Sequence, residues 1–164
     1  MKFRRLDSGG YAYLMVLAAV CVLAILAQAV AVLTSYQVKR DREQELLFRG
    51  QAYRRAIQSY YLSSPPWTLA LFPRNLQDLV KDNRYSLKRH LRSLYPEPFS
   101  GEWGLVKSSD GGICGVASTS QESTLKKSNF PQELSSFEGA EKYNQWIFIY
   151  LPVTNQTGTL GRNK

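Results

Sequence analysis

From Tyr11 to Leu33 the chain reads YAYLMVLAAVCVLAILAQAVAVL, without one charged residue and with Gln28 as its only strongly polar side chain. A hydrocarbon core about 30 Å thick needs roughly 20 apolar residues in a helix. This run is therefore long enough to span. It is also longer than the roughly 7–15-residue apolar core of a secretory signal, and no A-x-A cleavage pattern follows it. The basic leader MKFRRLDSG lies in front, and the Gly9-Gly10 pair separates leader from apolar run. A peptidase cutting at that pair removes the leader and keeps the hydrophobic helix.

Beyond Leu33 about 130 residues remain, enough for one small domain with its own core. The formal net charge is +8, of which the leader supplies +2 through Lys2, Arg4 and Arg5 against Asp7. The remaining basicity suits an acidic surface but selects no class of partner. Cys21 lies in the apolar run and Cys114 beyond it, so neither a disulfide framework nor a metal cluster is implied. Cys114 reads as a small buried hydrophobe. Lys2, Arg4 and Arg5 favour a cytoplasmic N-terminus, while Lys39, Arg40 and Arg42 on the other flank argue the reverse. Charge alone leaves the orientation open.

Thr34, Ser35 and Tyr36 read as the exit from lipid. The next stretch is rich in helix formers and free of proline until Pro65. Leu46, Tyr53, Ile57 and Tyr60 (or Tyr61) recur at helical spacing, Gly50 sits on the same stripe, and Arg42, Glu45, Arg49 and Arg55 lie elsewhere, which predicts an amphipathic helix. A continuous helix from Tyr11 to Leu62 has 52 residues and is about 78 Å long. Ser63, Ser64, Pro65 and Pro66 end it. Asn75 is placed to cap a short helix through Val80 that faces Leu76, Leu79 and Val80 inward. A second short helix is expected from about Ser86 to Leu94, burying Leu87, Leu91 and Leu94. YPEPFSG reads as a turn. WGLVK and GICGVAS flank an Asp110-Gly111 turn signal and predict a hairpin. Residues 119–142 read as a long polar loop with room for a short turn. YNQWIFIYLPV is the strongest strand pattern, with Trp146, Phe148 and Tyr150 on one face and Ile147 and Ile149 on the other. The tail from Thr154 to Lys164 is polar and expected to be loose. A long helix followed by a small antiparallel sheet predicts an α+β domain with the helix laid across the sheet.

The leader, the Gly-Gly boundary and the apolar helix running into an amphipathic one resemble type IV pilins and type II secretion pseudopilins. RDREQELLFRGQAYRRAIQSYY, RNLQDLVKDNR, RHLRSLYPEPFSGEWGLV, GGICGVAS and YNQWIFIYLP resemble a more particular group of pseudopilin-like proteins. The resemblance implies a type IV pilin-like fold: a leader over 1–10, a transmembrane half of the helix over 11–35, a periplasmic domain over 36–153 and a tail over 154–164. It implies a prepilin peptidase/methyltransferase that cuts after Gly10 and methylates Tyr11 at the bacterial inner membrane. The leader is then cytoplasmic and the head periplasmic. Other pseudopilin subunits and an inner-membrane assembly platform are the implied partners, and the implied role is a filament that drives protein export. The alternative is a minor type IV pilin that binds DNA or surfaces. Two departures stand out: Tyr11 replaces the usual Phe, and Met15 replaces the usual Glu at the fifth mature position. That glutamate is costly in lipid and is assigned to neutralising a neighbour's N-terminal amine. Met15 thus resembles the minor subunit at a filament tip, or points to assembly by apolar packing alone or to poor assembly. Met15, Leu17 and Leu26 are the expected assembly residues. The major pseudopilin's Asp-rich calcium loop is missing, so no metal or cofactor is expected.

His90 is the only histidine, it sits beside Lys88, Arg89 and Arg92, and no catalytic or metal role is expected of it. Arg74, Lys81, Arg84, Lys88, Arg89 and Arg92 against Asp78 and Asp82 leave a local charge of +4. Arg84, Lys88, Arg89 and Arg92 are the candidate polyanion contacts, which would bind with strong salt dependence. The reading preferred here is a solvated face with salt bridges to Glu43 and Glu45, so nucleic acid is not the expected partner. Trp67, Trp103, Trp146, Phe148 and Tyr150 are expected in the core. No Walker loop, dinucleotide fingerprint, nucleophile elbow or HExxH occurs, and no enzyme is expected.

Overall fold

The computed structural model describes residues 9–66, 69–85 and 88–152. The leader, Trp67, Ser86, Leu87 and the tail lie outside them, so the readings on those residues are neither met nor corrected. Helix α1 runs Gly9–Leu62, and the chain divides into two compact units, Met1–Asp41 and Arg42–Lys164.

In the first unit every described side chain from Tyr11 to Val38 is exposed. Met15 and Leu26 share one side of the helix and Leu17 lies on the opposite side, since each residue turns it by about 100°. A helix apolar all round belongs in lipid or inside a bundle. It is the one described helix long and apolar enough to cross a membrane.

The second unit is α+β. Leu46, Gly50, Tyr53, Ile57 and Tyr60 of α1 are buried along one stripe, as the spacing predicts, and Glu43 is buried beside them. Against it packs an antiparallel sheet in the order β1 (Trp103–Lys107), β2 (Ile113–Ser118), β3 (Ile147–Ile149). Residues alternate faces along a strand, so Trp103, Leu105, Val116, Trp146 and Phe148 share the face that meets α1. Tyr53 meets Trp103 edge-on at 5.5 Å. A Cβ on Gly50 would fall within the ring of Phe148, which is fully buried. Gly50→Ala therefore gains about 1 kcal/mol of helix propensity but overpacks a closed contact at about 1–3 kcal/mol. We expect a net loss of stability in thermal unfolding, and a raised Tm would mean that α1 sits more loosely on the sheet.

Three expectations are corrected. Helix α2 covers only Gln77–Val80, and the Asn75 side chain does not cap it; the Asn75 N–H instead donates to Asp78 Oδ2 at 3.1 Å. No helix forms over the described part of 86–94. The N–H groups of His90 and Leu91 both donate to the Leu79 carbonyl at 2.8 Å, which pins this segment as a loop, with Leu91 buried and Leu94 at the surface. The strand expected over 143–153 is shortened to Ile147–Ile149, because Tyr143–Gln145 coils into a 3-10 turn that points Tyr143 inward. The polar stretch 119–142 also contributes to the core through a 3-10 segment, Gln132–Phe137, that buries Leu134 and Phe137. Phe137 stacks on Trp146 at 5.4 Å, and Phe130 meets both rings edge-on.

Candidate functional site

Two surfaces carry the residues singled out by sequence, and buried carboxylates organise the unit behind one of them. Gly10 lies within α1, and Tyr11, Met15, Leu17 and Leu26 are all exposed on its apolar segment. Among the described residues no charged side chain lies between Tyr11 and Val38, so what this surface offers is apolar area.

The basic segment is different. Lys88, Arg89 and Arg92 are exposed, but Arg84 does not join them. Its guanidinium donates to Asp82 at 2.9–3.3 Å, to the Tyr60 carbonyl at 2.8 Å and to Ser64 Oγ at 3.0 Å, and lies 3.6 Å over the Tyr60 ring. This overturns its place among the polyanion contacts, because a fork already satisfied inside the fold cannot reach a phosphate. The expected bridges from this segment to Glu43 and Glu45 are corrected too. Glu45 pairs with Arg49 at 2.6 Å, and Glu43 is buried.

Asp82 is the hub, with no exposed surface. Burial alone would raise its pKa, but hydrogen bonds from the Arg84 side chain and N–H, and from His90, hold it down to about 2. His90 Nε2 lies 3.1 Å from Asp82 Oδ2 and Nδ1 lies 2.8 Å from Ser59 Oγ. A Ser-His-Asp chain that the sequence spacing hid is therefore present. The chain ties the end of α1 to the loop after α2, and two features of its setting disfavour nucleophilic chemistry there. Ser59 lies in the last turns of α1, at the negative end of the helix dipole, which disfavours a developing oxyanion. The amide N–H groups beside it are spent inside the helix, leaving no donor pair for such an anion.

Glu43 and Glu97 play matching parts. Glu43 accepts the N–H groups of Leu125 (2.8 Å) and Lys126 (3.1 Å) and the Tyr143 hydroxyl (2.8 Å). Burial, reinforced by Glu43, pushes the Tyr143 phenol well above its usual range. Glu97 accepts from the N–H of Phe99 and the hydroxyls of Ser100 and Ser118, each at 2.7 Å. Each carboxylate ties a loop to a helix or strand. Sequence periodicity cannot find such residues, because they obey no spacing rule.

No family model matches the chain, and no curated protein or solved structure matches it either.

Among the described residues no group of three or more His, Cys, Asp or Glu side chains is placed to hold a metal. Cys114 is buried, burial raises its thiol pKa, and its Sγ lies 3.4 Å from the Val106 carbonyl, which fits the small-hydrophobe reading. Trp146 and Phe148 are core residues as expected, while Trp103 and Tyr150 are half-buried against that core.

Proposed function

We propose that the chain is a non-enzymatic structural subunit, a pseudopilin of a type II secretion or related pilus-like filament machine, held in the inner membrane with its head in the periplasm until assembly. The observation that carries this reading is α1 itself. One helix is apolar and exposed through its first part, then becomes the buried spine of an α+β unit. A head built around such a helix can exchange lipid for the helices of neighbouring subunits without refolding. The DNA-binding alternative loses one of its four cations to the Asp82 network, which favours the structural reading.

Intact mass of the membrane-extracted protein tests the processing. The expected chain begins at Tyr11 and carries one added methyl group; a retained Met1 or another start would sink the reading. Leu17→Arg and Leu26→Arg each place a charge that costs about 2.5–3.5 kcal/mol at a membrane helix centre. We expect both to abolish incorporation into filaments, and normal incorporation of both would count against a packed helix core. Tight, salt-sensitive binding of duplex DNA by the full chain would favour the alternative.

A further inference from the structure

Backbone hydrogen bonds in an antiparallel pair alternate along each strand, so a residue that bonds one neighbour turns its amide groups away from the other. In β2, Ser118 N–H donates to Trp146 and the Cys114 carbonyl accepts from Tyr150, so Cys114, Val116 and Ser118 face β3. Gly115 and Ala117 consequently face β1, where their partners are Val106 and Gly104. That leaves the N–H and C=O groups of Trp103 and Leu105 pointing away from the sheet, at its edge. Among the described residues nothing bonds them on that side.

The chain nearly covers this edge and then leaves it. Glu97 and Gly101 exchange backbone hydrogen bonds at 2.9 and 3.3 Å, which closes the edge just before β1. Continued pairing would bring Tyr95 opposite Trp103. Instead the Tyr53 hydroxyl captures Tyr95, accepting its N–H at 2.9 Å and donating to its carbonyl at 3.0 Å, and β1 reaches that carbonyl only through the Trp103 indole N–H, which donates to it at 2.9 Å. The arm is held off and a groove of about 470 Å³ opens between it and β1. Leu94, Tyr95 and Pro96 form one wall, Trp103 and Leu105 the other. Leu105 is 47% exposed although it lies on the helix-packed face of the sheet.

We propose that this edge receives an extended polypeptide strand from a partner, which pairs with Trp103 and Leu105 and sets an apolar side chain into the groove. The free amide groups supply a hydrogen-bonding template, and alternate side chains of an added strand reach one face. Glu97–Gly101 at one end and the bulge between Val106 and Lys107 at the other limit the site to a short segment. An unprotected edge would invite indiscriminate pairing, whereas this one admits only a strand that ends where the bridge begins.

The test uses the detergent-solubilised full chain and a fluorescein-labelled heptapeptide of alternating valine and threonine. The expected result is saturable binding, with amide exchange at Trp103 and Leu105 slowed about tenfold or more. The same peptide N-methylated at its valines should not bind. Leu105→Pro removes an outward N–H, a change edge strands tolerate, together with the Leu105 side chain of the groove wall, and should abolish binding while leaving the unfolding transition in place. Leu94→Arg, which charges the groove wall without touching the strand, should weaken binding at least severalfold. Equal binding of both peptides, or no protection at Trp103 and Leu105, overturns the proposal. So does protection of these amides in the free chain accompanied by concentration-dependent dimerisation, which would assign the edge to a second copy.

Discussion

Glu43→Ala will destabilise the Arg42–Lys164 unit by about 3 kcal/mol, because two part-buried N–H groups and a buried phenol lose this acceptor at once and each unsatisfied group costs about 1–3 kcal/mol. Glu43→Gln will not rescue it. Both carboxylate oxygens accept hydrogen bonds, so the amide NH2 of glutamine must face a donor from Leu125, Lys126 or Tyr143. Tyr143→Phe removes one charge-assisted bond, about 1.5–3 kcal/mol, and its effect should be strongly non-additive with Glu43→Ala. Urea unfolding of the solubilised chain followed by near-UV circular dichroism measures all three. A Glu43→Ala loss under about 1 kcal/mol would show that loop 125–126 is held by something else.

The second large effect concerns Asp82. Asp82→Ala leaves the Arg84 guanidinium largely buried against Tyr60 with its counter-ion gone, and breaking such a pair costs about 3–5 kcal/mol. Arg84→Lys should also fail, because an ammonium cannot span Asp82, Ser64 and the Tyr60 carbonyl together. The network carries a pH signature. Asp82 is held down to about 2 in the folded chain, below its ordinary value of 3.8, so the folded state prefers the carboxylate. Its contribution, about 2 kcal/mol, is fully present above the unfolded value and is lost as pH falls from about 4 through 2. Stability of the wild type should drop across that window, and Asp82→Asn should flatten the drop. An unchanged slope in the variant would remove Asp82 from the acid response.

The parts of this fold that obey a period were legible in the sequence. The α1 stripe, the hairpin around Asp110-Gly111 and the alternation from Trp146 to Tyr150 all follow from spacing, because one face of each is buried. The stretch 119–142 was not legible, since Leu134 and Phe137 bury themselves from a 3-10 turn with too few apolar residues to show a period. The helix expected before Leu94 failed for a related reason. A single carbonyl, that of Leu79, takes two N–H groups and outcompetes a local helical ladder. Arg84 looked like one more surface cation because nothing in RNLQDLVKDNR signals that its Asp82 is fully buried.

At Gly50 the stripe from Leu46 to Tyr60 finds its cover in Phe148, which is made late in synthesis. At a translation rate of about 5–20 residues per second, the ribosome works on for roughly 5–20 s after Tyr60 before Phe148 is joined to the chain. During that interval an apolar helix face has been synthesised without the residues that shield it. The order of synthesis therefore leaves the newborn chain with this part of its apolar face bare for that interval, and every truncation upstream of β3 lacks the Phe148 cover permanently.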